Sequence, residues 1–414
     1  STLFPYTTLF RSTNRADLQI SITESKTTMI YDFDKTVDRS HSDSFKWKIY
    51  PADVQPLWVA DTDFEVAPEI VAEIQKRLSH PVFGYAIEIP GFKETIVRRM
   101  ADRYQWAIKE EDVFLVPGIV SGYNFACRAF VRPGQAVLIQ TPAYPPFFTG
   151  PQNNQVESVL NPLAFNAESG RYEIDFEDFE ARIRSGKVDM FVLCNPQNPT
   201  GRVFTREELT RMADICAMHH VVIVSDEIHS DIIYSGENHT PIASIAPDIG
   251  NHCLTLIAPS KTFNIPGFAC SVGIIQDPTL RERYARALRG LAPQVSLLSQ
   301  YGGLAAYQYG GEWLKQMNAY LEANRDFVFQ TVAAELPDVR QSKPQATFLS
   351  WLDFSETKIA DQPFKFFLDN AKVALNDGKT FGDAYGSFVR LNFGTNRARL
   401  SQALDKMIGA YRKK

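Results

Sequence analysis

The sequence predicts an α/β protein built on a mainly parallel sheet, followed by a smaller α+β domain. From Val113 to Ile275, short β-rich runs alternate with helical segments, the pattern of strands joined by crossover helices. Four of these apolar runs end in polar or glycine-flanked turns, where a doubly wound sheet meets its ligands. Past a long helical stretch over 311–336, the pattern changes to strands mixed with helices.

Apolar spacing predicts a helix over 67–78 and another over 91–104, with Ile96 and Met100 four apart on one face. Val113-Phe114-Leu115-Val116 and Ala136-Val137-Leu138-Ile139 read as strands. A helix over 206–218 is capped by Thr205, with Glu208 three residues on completing a capping box. Further helices are expected over 280–291 and 311–336, the second leading into the small domain. There 347–352 and 388–393 read as strands, and 364–370 and 397–410 as helices. The organisation expected is an N-terminal segment associated with the small domain (29–74), a large α/β domain (75–310) and a small α+β domain (311–414). Residues 1–28 stand apart. Thr2 to Ser12 reads like a translated oligonucleotide adapter and lacks the basic-then-apolar order of a signal peptide. This stretch is expected to be extraneous or loosely ordered.

Composition narrows the function. The chain has 414 residues, 22% of them charged, and a net charge of −5, which argues against nucleic acid or an anionic membrane as partner. No apolar stretch reaches the roughly 18 residues of a membrane span. The five cysteines (Cys127, Cys194, Cys216, Cys253, Cys270) form no CxxC pair. They read as thiols in a reducing, cytoplasmic compartment. His219 and His220 have no third ligand at a useful spacing, so no metal site is expected.

The chemistry lies at the strand ends. Lys261 follows Leu254-Thr255-Leu256-Ile257 in Ala258-Pro259-Ser260-Lys261-Thr262-Phe263-Asn264. Burial drives an ammonium to lose its proton, so a lysine at the carboxyl end of a buried strand is a candidate nucleophile. The partner such an amine suits is a carbonyl cofactor, pyridoxal phosphate above all. Val221-Val222-Ile223-Val224 runs into Ser225-Asp226-Glu227-Ile228-His229, and an acid there can hold a proton on a pyridine nitrogen. Phe191-Val192-Leu193-Cys194 runs into Asn195-Pro196-Gln197-Asn198-Pro199-Thr200-Gly201, a forced turn whose Asn198 can donate to a phenolate oxygen. Pro117-Gly118-Ile119-Val120-Ser121-Gly122 opens a helix, and free N–H groups at a helix start cradle a phosphate.

Taken with Trp58-Val59-Ala60-Asp61-Thr62-Asp63-Phe64, Phe83-Gly84-Tyr85, Thr141-Pro142-Ala143-Tyr144-Pro145-Pro146-Phe147 and Val389-Arg390-Leu391-Asn392-Phe393, these motifs carry a family resemblance. From about Tyr31 to its end the chain resembles fold-type I pyridoxal-phosphate enzymes of the class I/II aminotransferase-like superfamily. Within them it is similar to the MalY/PatB-type C–S lyases, the cystathionine β-lyases.

The resemblance implies a large domain with a mainly parallel seven-stranded sheet. It also implies roles. Lys261 would be the Schiff-base lysine and Asp226 the partner of the pyridine nitrogen. Asn198 would face the ring oxygen, with His229 near it, and Tyr144 would stack on the ring. The backbone amides of Val120 and Ser121 and the hydroxyl of Ser260 would hold the phosphate, joined by Tyr85 from a neighbouring subunit of a homodimer. Arg390, with Asn198 and Ala60, would bind the substrate, the guanidinium clamping its α-carboxylate. Trp58 and Trp351 read as packing residues.

Three positions depart from the superfamily pattern: Ala258 stands where many aminotransferases have a phosphate-binding serine, His229 where they have tyrosine, and Thr62 where methionine is usual in the tryptophan motif. The activity implied is cleavage of cystathionine or related L-cysteine S-conjugates to a thiol, pyruvate and ammonia. An aminotransferase shares the same early steps, and a regulatory binding protein is the alternative of a different class.

Overall fold

Val-, Ile- and Leu-rich runs buried on both faces make the centre of the molecule, as a mainly parallel sheet demands. The computed structural model describes residues 31–414, and the expectation for residues 1–28 lies outside them. Among the described residues the strands are, in chain order, β1 (Gln55–Pro56), β2 (Val113–Val116), β3 (Ala136–Thr141), β4 (Glu157–Asn166), β5 (Arg171–Ile174), β6 (Val188–Cys194) and β7 (Val222–Asp226). They continue with β8 (Cys253–Ile257), β9 (Ser271–Ile274), β10 (Arg340–Gln341), β11 (Leu349–Asp353), β12 (Val373–Ala374), β13 (Asn376–Asp377) and β14 (Phe388–Asn392). Asp32–Lys414 cluster as one compact unit.

The large sheet has the order β2-β9-β8-β7-β6-β3-β4-β5. The pairs from β8 through β7, β6 and β3 to β4 are parallel. β9 runs against both its neighbours, so β2 points the same way as β8 and ends at the same edge. The seven strands expected are lengthened by an eighth, β5, antiparallel to β4. That hairpin was hard to read because β4 holds Pro162 and leaves much of its length exposed.

Period-two alternation sends successive side chains to opposite layers. Met190 and Val192 of β6 join the cluster containing Tyr123 and Phe130 of the helix Ile119–Phe130. Phe191 and Leu193, one residue over, join the cluster containing Leu209 and Met212 of the helix Arg206–Met218. Each such side chain contributes about 1.5–3 kcal/mol on leaving water. Thr205 accepts from the N–H of Glu208, whose carboxylate accepts in return, so the capping box forms as the sequence indicates. The helix expected over 280–291 is Pro278–Leu288, capped by Asp277. The helix Leu297–Tyr309 had no clear signal, because its small residues blur the periodicity. They are there for close approach: a Cβ on Gly302 would lie 2.5 Å from the Phe268 ring.

After the helix Gly311–Glu335, an antiparallel sheet of order β10-β11-β14-β13 forms, while β1 and β12 pair in parallel. Register sets Arg390 in β14 opposite both Trp351 of β11 and Asn376 of β13. No helix among the described residues is long and apolar enough to cross a membrane.

Candidate active site

The ends of β2, β6, β7 and β8 surround a cavity of about 460 Å³. After β2 the chain turns at Gly118, whose φ of 95° is in the region L side chains avoid. The helix Ile119–Phe130 begins there without a side-chain cap, and its first closing bond runs from the N–H of Gly122 to the carbonyl of Gly118. The N–H groups of Ile119, Val120 and Ser121 precede that bond, beside the cavity. Ser260 lines the same cavity. An uncapped helix start with a hydroxyl close by suits a phosphate.

After β6, the buried Asn198 accepts from Arg390 Nη1 at 2.9 Å through its side-chain oxygen. That bond orients the amide and leaves its N–H₂ for the cavity. The turn is closed by Gly201, at φ 71°, where a Cβ would lie 2.7 Å from the Pro344 side chain.

Asp226, which ends β7, is level with Cys194 and accepts the N–H of Ile228 at 3.1 Å. Burial pushes its carboxyl up to about 7, with Glu227 adding to the rise, while the Ile228 bond and Lys261 oppose it. A carboxyl so placed gains from a cationic partner in the cavity. His229 is buried, its Nδ1 without a hydrogen-bond partner. Burial, then the positive charges of Lys261 and Arg390, holds its pKa down to about 3, so the ring is neutral.

The short helix Pro259–Thr262 after β8 carries Lys261. Its Nζ donates to the carbonyl of Ala60 at 2.6 Å. Burial lowers the ammonium to about 8 against the opposing pull of Asp61 and Asp226. Next to it, Thr262 donates to Asp231 at 3.0 Å, and Asp231 pairs with Arg99 and Arg103. Tyr144 follows β3; burial first, then Asp226 and Cys194, raises its phenol while Arg390 opposes.

Arg390 comes from the other sheet. It is buried, and its Nη2 donates to the Trp58 carbonyl at 2.9 Å and to Asn376 at 2.7 Å. Among the described residues it forms no ion pair, and its Nε has no partner. Desolvation lowers it to about 10. An unpaired buried cation is costly enough to call for an anion from outside.

Side-chain amides hold the Trp58–Phe64 segment in place. Asn392 donates to the carbonyls of Val59 at 2.5 Å and Asp61 at 2.7 Å. Asn264 accepts the N–H of Thr62 at 3.0 Å and donates to the carbonyl of Phe64 at 2.7 Å.

Lys261, Asp226, Tyr144, Asn198 and Arg390 therefore face one cavity, as do Val120, Ser121, His229, Ser260 and Ala60. Tyr85 does not: it is fully exposed in this chain. Trp351 packs as expected, stacked on Phe388 at 5.1 Å. Trp58, read as a packing residue, instead lines the cavity. Sequence reasoning missed Phe45, Cys194 and Asn376 in the lining. Asn376 carried only a faint signal, since it faces Arg390 through a two-residue strand.

The donor set fits pyridoxal phosphate. A deprotonable amine, an acid wanting a cation, a free amide N–H₂ and an uncapped helix start surround one space, with the orphaned Arg390 Nε and His229 Nδ1 facing no protein partner.

A model described as aminotransferase class I and II matches residues 54–407. Cystathionine beta-lyase PatB of Bacillus subtilis (strain 168) is 37% identical over 387 residues, which cover 91% of this chain and 99% of that protein. Protein MalY of Escherichia coli (strain K12) is 33% identical, covering 92% of this chain and 99% of its own. The crystal structure of cystalysin from Treponema denticola, which contains a pyridoxal 5'-phosphate cofactor, is 30% identical with a TM-score of 0.89. It covers 93% of this chain and 100% of that one.

Proposed function

The chain belongs to the aminotransferase class I and II family, and we propose that it is a pyridoxal-phosphate-dependent carbon–sulfur β-lyase. It cleaves cystathionine or related L-cysteine S-conjugates to a thiol, pyruvate and ammonia. The observation that carries this reading is the pairing, across one cavity, of an amine lowered to about 8 with a buried guanidinium that has no carboxylate partner among the described residues. Together they suit an α-amino acid held by its carboxylate and deprotonated at Cα. The choice of lyase within the family follows its relatives among the cystathionine β-lyases.

Lys261 would hold the cofactor aldehyde, Asp226 its ring nitrogen and Asn198 its ring oxygen. The amides of Val120 and Ser121 with the Ser260 hydroxyl would hold its phosphate, and Tyr144 would lie against the ring. When bound, pyridoxal phosphate supplies the electron sink that makes the substrate's Cα–H acidic. Arg390 clamps the α-carboxylate and so fixes which Cα bond faces Lys261. Lys261 Nζ, released when the substrate's amino group displaces it, would take the Cα proton, its own affinity lowered by burial to about 8. Asp226, buried at the end of β7, would serve as counter-ion to a protonated ring nitrogen. His229, neutral, adds no positive charge beside Lys261. The thiolate then departs from Cβ.

The exposed apolar run Val82, Phe83, Tyr85 and Ile87 supports a homodimer in which the partner subunit's Tyr85 reaches the phosphate end. Pyruvate and thiol released from an S-alkyl cysteine without added 2-oxo acid, and lost in Lys261→Ala, is the expected result. Turnover that needs a 2-oxo acid would make the protein a transaminase instead.

A further inference from the structure

The cavity has an aromatic wall beside the Arg390 clamp. Phe45, exposed at the mouth, packs against Trp58 with ring centroids 5.1 Å apart, and Tyr50 meets Trp58 edge-on at 5.7 Å. The wall is fixed. Lys46, next to Phe45, is buried and pairs with Asp63 at 3.2 Å, and Asp63 also pairs with Arg39 at 2.8 Å. Trp58 Nε1 donates to the carbonyl of Lys46 at 3.1 Å, tying the two rings through the backbone. The wall also adjoins the carboxylate clamp, since the Trp58 carbonyl accepts from Arg390 at 2.9 Å. A substrate whose carboxylate sits on Arg390 therefore has Trp58 beside it, and Phe45 and Val59 line the same cavity.

The charges that line the cavity are equally informative. Among the described residues they are Asp226, Lys261 and Arg390, and His229 is neutral. All three have work at the cofactor or the α-amino acid end. None remains for the second ammonium and carboxylate of cystathionine, whereas an apolar substituent gains by covering the exposed ring of Phe45. The segment that a partner subunit would bring, 82–87, is uncharged too.

We infer that Phe45 and Trp58 are specificity residues that favour L-cysteine S-conjugates with an uncharged, apolar or aromatic sulfur substituent over cystathionine. This rests on the lyase reading and narrows it. The holoenzyme should turn over S-benzyl-L-cysteine with a kcat/KM at least about ten-fold above that for L-cystathionine, the scale that apolar pocket contacts supply. Phe45→Ala, at an exposed position that does not threaten folding, should close most of that gap through KM. Phe45→Arg should reverse it by offering the distal carboxylate a partner.

Binding is read separately through the cofactor's absorbance. The inert isosteres 2-amino-5-phenylpentanoate and 2,7-diaminooctanedioate carry a methylene in place of the sulfur. The first should bind more tightly, and Phe45→Ala should erase the difference. Equal or better use of cystathionine by the unaltered enzyme, or a ratio that ignores Phe45, overturns the inference while leaving the lyase intact. If no thioether yields pyruvate, the lyase reading fails, and the two isosteres still decide the question of the wall.

Discussion

Arg390 is the residue at which burial and charge conflict most openly. It lies in a strand, out of water, with carbonyl and amide oxygens for company and no carboxylate among the described residues. Arg390→Lys keeps the charge but loses the planar fork, so KM for the amino acid should rise about ten- to hundred-fold with kcat less affected; steady-state kinetics checks it. His229 yields a pH prediction. Its folded pKa of about 3 lies below the ordinary 6.5, so the fold disfavours the protonated form. Its contribution to stability is complete above pH 6.5 and shrinks as pH falls toward 3, by at most about 1.4 kcal/mol per unit. His229→Asn should therefore lose less Tm between pH 7 and pH 5 than the unaltered protein. Lys261, Asp226 and Asn198 were readable because each follows an apolar run, whereas the roles of Arg390 and Tyr144 came only with the family resemblance. Phe45 and Asn376 were not, since their roles depend on segments brought in from elsewhere in the fold.

Among the elements, the helix Arg206–Met218 shows how far local rules reach. Its start was evident from Thr205 and Glu208 alone, and both reciprocal bonds are present. Thr205→Ala should cost about 1 kcal/mol of stability in denaturant titration without altering kcat, since the cap lies away from the cavity. The helix Leu297–Tyr309 marks the limit. Gly302 and Gly303 look like helix breakers until Phe268 and Cys270 occupy the space their missing side chains leave. The β4–β5 hairpin failed to announce itself for another reason, its exposed faces diluting the apolar alternation.

For the whole molecule, the parallel order of the large sheet followed from sequence because each of its central strands is apolar on both faces. The antiparallel β9 did not, since it is buried on both faces like its parallel neighbours. Tyr85 is where one chain falls short. Light scattering should give a mass of twice 46.7 kDa. In the proposed homodimer Tyr85→Phe removes one phosphate hydrogen bond and should weaken retention of the cofactor about ten-fold, measured by its loss on dialysis. A bond joins the turn after β6 to the small sheet: Asn198 accepts from Arg390 of β14. Anything that draws on the amide at one end is felt by the guanidinium at the other. With the roles proposed for Asn198 and Arg390, loading the vitamin and capturing an amino acid should be thermodynamically linked, each altering the other's affinity by the same factor. A double-mutant cycle across that pair should deviate from additivity.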